Sequence, residues 1–419
     1  MKKDLDLLVP FHWRRVKERA DRRHYQRRLG VASKDCSQLI SMVSPLSISE
    51  LELFNKEIDQ LSSQVKEYLY QERFRGVLYP RDIRESVYYY TELGGKRLRP
   101  AILALCCGAV GGNVKKAIPA AAAVELYHTW TLIHDDIIDQ DEKRRHGDSV
   151  HAKWAKVAHN EYGLRGDLAR HYGVVIGILA GDVQKGWSVA GILPDLHFEE
   201  GMNPVLVLKL IRELDYVTLL ILVDGETLDV QYSHLPTEKL SEKKIIDMLW
   251  KKTGALYKFC GKAGAMIGLD SVDDQKPEVE SLSEFASRCG TAFQLQDDIL
   301  GIVGDERQLG KPVGSDLRQG KRTIPFWKAY REAGERERQL MERVSTKHVT
   351  LKEIEKVVSI IEEHDGIEYT QRLATAWVEG GKVGSSEVTG ALSFLDKLPQ
   401  TKYKDLLEMW ARFVITRTK

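Results

Sequence analysis

The sequence predicts an all-α protein built as one large helical domain. Three observations carry this: apolar residues recur at spacings of three and four, alternating strand patterns are scarce, and only 12 prolines interrupt 419 residues. Helices are expected near 50–70, 117–138, 168–190, 204–232, 242–268, 278–303 and 321–344. No internal repeat or low-complexity tract divides the chain. A fold of this kind builds its sites from facing helices around a central cavity.

Taken in order, residues 1–45 form a polar prefix whose "WRRVKERADRRHYQRRLG" carries eight Lys/Arg against two acids. With Phe11, Trp13 and Leu29 among them, these bases suit contact with an anionic membrane surface, although a solvated helix face is the plainer reading. From Ala117 to Ile133 the chain is apolar, with Glu125 and His128 as its conspicuous polar residues. Directly behind comes "HDDIIDQDEKRRH". Asp135 and Asp139 lie one turn apart on one helix face and Asp136 flanks them. A second helical run ends in "FQLQDDILGIVGD", which sets Asp297 and Asp298 behind Gln294, with Asp305 further on. Residues 345–400 read as a looser helical tail before the amphipathic end "YKDLLEMWARFVITRTK".

Composition excludes several classes. A formal charge of +1 argues against a nucleic-acid binder. The five cysteines are odd in number and lack metal-ligand spacing, so they read as reduced core thiols of a cytoplasmic protein. "AAAAVELYHTWTLI" and "YVTLLILV" are too short or too interrupted to span a bilayer. The opening "MKKDLDLLVP" has acids and no long apolar region, and no signal peptide is expected.

Like charges at the ends of apolar helices are costly unless a cation belongs between them. Carboxylates one turn apart offer hard oxygen ligands suited to Mg²⁺, which keeps several waters and binds substrate phosphate. Two such clusters facing each other would hold several Mg²⁺ ions bridged by a diphosphate. Bases complete the set. "GGKRLRP" holds Lys96 and Arg99, Arg144 and Arg145 follow the first cluster, "KTG" holds Lys252, and "GKPVGSDLRQGK" holds Lys311 and Lys321. Guanidinium groups pair with phosphate oxygens in a fork, and lysines act as point charges. Read singly, each is a turn or a solvated base.

The ordered set "GGKRLRP", "HDDIID…RR", "LAGD", "KTG", "FQLQDD" and "GKPVGSD…GK" resembles the trans-isoprenyl diphosphate synthase (polyprenyl synthetase) family, from about Tyr88 to Ala329. The resemblance implies the isoprenoid synthase fold, a catalytic domain over 76–419 behind an extension of unassigned role over 1–75, and a homodimer. It implies condensation of isopentenyl diphosphate with an allylic diphosphate. Asp135, Asp139 and Asp297 would ligate Mg²⁺, with Asp136 and Asp298 beside them. Arg144, Lys252, Gln294, Lys311 and Lys321 would hold the allylic diphosphate, while Lys96, Arg99, His128 and Arg145 would hold isopentenyl diphosphate. Thr253 would sit near the carbocation. Without the resemblance, His128 on an apolar helix is a satisfied core histidine, and Asp182 of "LAGD" is a structural residue.

Trp130, five residues before Asp135, takes the position where the family stops chain growth. Tyr127 lies one turn deeper. A tryptophan there implies a short product, geranylgeranyl or farnesyl diphosphate; otherwise it simply packs in the core. The chain departs from the family pattern at Gly301, where the second motif lacks its last aspartate, and at His146, where glycine is more usual. Rival readings are a class I terpene cyclase, which would not need the Lys96 and Arg99 site, and a non-catalytic subunit, which would lose an acidic motif. A purely structural helical protein gives no reason for two acidic clusters.

Overall fold

Local signals start the helices where the periodicity places them. In the computed structural model, which describes residues 46–303, 315–344, 350–384 and 386–417, Ser47 opens α1 (Ile48–Leu69) with a capping box. Its hydroxyl accepts from the Glu50 amide at 3.2 Å and its amide donates to the Glu50 carboxylate at 2.7 Å. Then come α2 (Arg81–Glu92), α3 (Leu98–Ala109) and α4 (Ile118–Ile138), the last with Pro119 in its first turn. After a hairpin of β1 (Lys143–Arg144) and β2 (Gly147–Asp148) follow α5 (Val150–Tyr162) and α6 (Asp167–Gly186, carried on by Trp187–Ile192). Like this continuation of α6, two further long helices each contain a π-type turn. In α7, Pro204–Arg212, Glu213–Thr218 and Leu219–Ser233 run on as one; in α8, Glu242–Leu249, Trp250–Gly254 and Ala255–Gly268 do the same.

The 27-residue α9 (Pro277–Val303) is followed by α10 (Ile324–Glu332), α11 (Glu335–Val344), α12 (Leu351–Glu363) and α13 (Gly366–Glu379). A second hairpin, β3 (Gly381–Val383) with β4 (Ser386–Val388), precedes α14 (Lys402–Thr416). The expected helix over 321–344 is two helices, because Ala333 takes an extended conformation before Gly334. The tail over 345–400, read as loose, is regular in its described part. A Thr350–Glu353 capping box starts α12, and Val357, Ile361, Leu373 and Ala374 are buried.

All described residues belong to one compact unit, Pro45–Lys419. The helix Ile48–Leu69, set apart with the extension in the sequence reading, is part of it: Phe54 is buried and lies 5.5 Å from Phe413 of α14, ring to ring. The centre is formed by α3, α4, α8 and α9. Ala120, Ala121, Ala122 and Ala123 are wholly buried, so α4 is enclosed all round. Small residues let the neighbours approach: a Cβ on Gly264 would meet the Leu103 carbonyl at 2.2 Å, and one on Gly261 the Leu282 carbonyl at 2.2 Å. Trp154, Trp410, Tyr127 and Tyr257 are the largest side chains in the core, each contributing about 1.5–3 kcal/mol or more of transfer free energy by its burial. Among the described residues, no helix is long and apolar enough to cross a membrane. The basic prefix lies outside the described residues.

Candidate active site

The C-terminal parts of α4, α7 and α9 and the middle of α8 surround a cavity of about 800 Å³. Its first wall comes from α4 and the hairpin behind it. Arg145 and His146, the two residues between β1 and β2, both have positive φ (51° and 65°), the backbone of a tight primed turn. That turn sends Arg144 back to the helix end, where its guanidinium lies 3.3 Å from Asp135 and donates from Nε to Asp136 at 3.0 Å. Asp136 is wholly buried and also accepts from the Tyr90 hydroxyl. Asp136 does not line the cavity. The sequence reading set it among the metal ligands; the structure puts it behind the wall, where it anchors Arg144.

The second wall shows what the π-type turn does. The sharpened turn Trp250–Gly254 carries Lys252 and Thr253 into the cavity. Gly225 makes room for it, since a Cβ there would lie 2.4 Å from the Lys252 amide nitrogen. The Lys252 ammonium then meets Asp229 at 2.6 Å, Glu226 at 3.0 Å and Asp135 at 3.0 Å. Lys321 lies 2.6 Å from Asp139 and 3.6 Å from Asp229. Burial opposes ionisation of Asp135, but the charges of Lys252, Lys321 and Arg144 outweigh it and hold its carboxyl well below the usual range. Burial prevails at Asp139 and Glu226 and pushes both carboxyls up.

On α9, Gln294 accepts from the Thr253 hydroxyl at 2.8 Å and donates to Asp298 at 3.2 Å. The other Asp298 oxygen is buried without a hydrogen bond, and burial holds this carboxyl well above its ordinary value. Asp297 accepts from Arg417, whose guanidinium lies 3.7 Å from the centre of the Phe293 ring.

Across the cavity, Gly95 has φ +124°, and a Cβ on it would meet the Arg145 guanidinium carbon at 2.7 Å. Arg145 packs against that bare backbone and donates to the carbonyls of Tyr90 and Gly94. Arg99 lies 3.0 Å from His128 Nε2 and over the Tyr257 ring at 4.6 Å. Guanidinium only donates, so Nε2 accepts and the imidazole is neutral. Burial, then the charge of Arg99, holds His128 well below its ordinary pKa. Lys96 lies 4.6 Å over Phe413. Trp130 lines the cavity, donates to His134 at 3.1 Å and stands edge-on to Tyr127 at 5.0 Å. Tyr127 is wholly buried beneath it and bonds the Leu214 carbonyl.

The structure thus gathers Lys96, Arg99, His128, Trp130, Asp135, Asp139, Arg144, Arg145, Lys252, Thr253, Gln294, Asp297, Asp298 and Lys321 at one cavity. Lys311 and Asp305 lie outside the described residues. Sequence reasoning missed Glu226 and Asp229, although two acids three apart in the apolar run "LLILVDGETLDV" were a signal. It also missed Arg417, and Asp316, which lines the cavity near Gly301. Arg97 was missed too; it lies 3.5 Å from the buried Glu125.

Whether the residues fit a divalent cation follows from charge and donor type. Among the described residues, no three carboxylates stand free to hold a metal ion as placed; Asp135, Glu226 and Asp229 converge on the Lys252 ammonium instead. The donors are nevertheless all hard oxygens, and five carboxylates (Asp135, Asp136, Asp139, Glu226, Asp229) face only Arg144, Lys252 and Lys321. That deficit, with the unpartnered oxygen of Asp298, fits a hard cation.

A family model described as polyprenyl synthetase matches residues 80–361. A geranylgeranyl diphosphate synthase of Methanosarcina mazei is 33% identical over 340 residues, 81% of this chain and 90% of that protein. A short chain isoprenyl diphosphate synthase of Methanocaldococcus jannaschii is 34% identical over 280 residues, 66% of this chain and 75% of that protein. The crystal structure of geranylgeranyl pyrophosphate synthetase from Pyrococcus horikoshii superposes with a TM-score of 0.71 at 27% identity, covering 88% of this chain and 99% of that one. With two walls of acids, the side chains of Arg144, Lys252 and Lys321 set against them and this match, the chain belongs to the polyprenyl synthetase family and is a prenyltransferase.

Proposed function

We propose that this chain condenses isopentenyl diphosphate with an allylic diphosphate to give a short-chain trans-prenyl diphosphate, geranylgeranyl or farnesyl. The observation that carries the reading is one cavity holding two groups of bases, Arg144, Lys252 and Lys321 paired with the aspartates and Lys96, Arg99 and Arg145 across from them. Arg144, Lys252 and Lys321, with Gln294, hold the allylic diphosphate; Lys311 belongs with them by sequence. Lys96, Arg99, Arg145 and neutral His128 hold isopentenyl diphosphate, whose alkene then faces the allylic carbon. A cyclase has no use for this second set.

The allylic carbon–oxygen bond breaks with its electron pair leaving on the diphosphate. The isopentenyl double bond adds to the cation, and a proton passes to the released diphosphate. Asp135, Asp139 and Asp297 would hold Mg²⁺, with Asp298 beside them, and the ion would supply Lewis-acid charge against the departing oxygen. The lysines and Arg144 stabilise the same developing charge from fixed positions, which is preorganised electrostatic catalysis. Thr253 donates its proton to Gln294, so its oxygen lone pairs remain for the cation. Trp130 closes the apolar end of the path.

Two further readings belong here. Leu168, Ile178 and Leu179 of α6 and Val217 and Leu220 of α7 are exposed apolar side chains that suit contact with a second copy of the chain. The four described cysteines are free and buried, which suits a reducing, cytoplasmic setting.

Incubation of the purified chain with Mg²⁺, isopentenyl diphosphate and each allylic primer tests the reading, with products read by mass spectrometry. A C15 or C20 diphosphate is expected. Hydrocarbon formed without consumption of isopentenyl diphosphate, or no turnover with any primer, would overturn it.

A further inference from the structure

The second acidic motif of this chain stops short. On α9, Asp297 and position 301 are four apart and share a face, yet position 301 is glycine and offers no carboxylate. A neighbouring segment supplies one. A Cβ built on Gly301 would lie 2.7 Å from Oδ2 of Asp316 and 3.6 Å from its Cγ, so the Asp316 carboxylate lies where a side chain at 301 would begin. Gly301, Asp316, Asp297 and Asp298 all line the cavity.

An independent observation points to a ligand at this spot. Asp298 is 4% exposed; its Oδ1 accepts from Gln294, while its buried Oδ2 has no hydrogen-bond partner. A buried carboxylate oxygen is not left bare in a folded protein without cost, and here its charged neighbours include Asp316 and Asp297, the latter already paired with Arg417. A cation satisfies that set.

We propose that Asp316 is the third carboxylate of the second metal cluster, reaching from the short helix Ser315–Arg318 to the place that Gly301 leaves open. The proposal rests on the reading in which Asp297 and Asp298 face a divalent ion, and it deepens that reading by naming a ligand outside the motif. It also gives Gly301 a reason. Any side chain there would displace the Asp316 carboxylate, so the glycine and the aspartate belong together.

Titration of the full chain with Mn²⁺ in the presence of inorganic pyrophosphate, with bound ion counted by electron paramagnetic resonance, tests this directly. D316N, which preserves shape, is expected to weaken Mn²⁺ binding about tenfold or more. G301A is expected to weaken it as well, by crowding the Asp316 carboxylate, and to add little in the D316N background. G301D/D316A is expected to recover most of the loss, because the carboxylate returns from the helix side. A merely structural role for Asp316 predicts a lower melting temperature for D316N and no recovery in the double variant. Equal Mn²⁺ affinity in parent and D316N overturns the assignment, as does failure of a double variant that melts with the parent. A parent that binds no Mn²⁺ overturns the metal reading beneath it, an outcome distinct from the first two.

Discussion

Lys252 concentrates the electrostatics of the site in one ammonium group. It is buried, yet the charges of Asp135, Asp229 and Glu226 keep its pKa well above the ordinary value, so it stays a cation throughout the physiological range. K252M removes one fixed charge from the diphosphate and frees three acids to repel one another. We expect kcat to fall by roughly 10²–10³-fold; a variant with parental turnover would remove Lys252 from the diphosphate site. His128 gives a pH dependence. Its folded pKa is depressed, so its contribution to stability is whole above the unfolded value of about 6.5 and is lost as pH falls below it. The unfolded chain takes up a proton that the folded one refuses, which costs up to about 1.4 kcal/mol per pH unit. Urea unfolding between pH 7 and 5 should therefore be less steep in pH for H128Q than for the parent. Identical slopes would mean that His128 titrates freely.

At the scale of helices, contacts between neighbours decide where the chemistry sits. Gly225 lets α7 lie against the π-type turn of α8, and G225A forces the Lys252 backbone outward. Overpacking of this kind costs about 1–3 kcal/mol, and the loss of turnover should exceed what the lowered melting temperature explains. A variant that melts lower but turns over normally would show the close approach to be structural only. Along α4, Trp130 lines the cavity and the buried Tyr127 stands edge-on behind it. W130A should open the path down to Tyr127, about one turn or 5.4 Å deeper, and shift the product toward longer chains by mass spectrometry. An unchanged product length would assign Trp130 to packing alone.

At the scale of the molecule, the exposed apolar residues of α6 and α7 make their own prediction. Light scattering should give twice the 47.6 kDa chain mass, and I178E/L220E should release monomer. A monomeric parent would remove the second copy. The excess of five carboxylates over the three bases Arg144, Lys252 and Lys321 ties the cavity to whatever cation fills it. Chelation should lower the melting temperature in the presence of pyrophosphate, since a ligand of the folded state stabilises by mass action.

The sequence by itself determined the all-helical class, the long helices and the two acidic motifs, because a 3.6-residue period and one-turn spacing are local properties. Helices expected over 204–232 and 242–268 correspond to α7 and α8 almost to the residue. What it left open are features made by juxtaposition. Asp136 faces inward because Tyr90 and Arg144 wait behind it, although it sits in the same motif as Asp135. Glu226, Asp229 and Arg417 join the site only because α7, α8, α9 and the chain end converge there. Asp316 comes beside Gly301 for the same reason: fifteen residues separate them along the chain, and only tertiary packing brings a carboxylate to a helix face that carries none of its own.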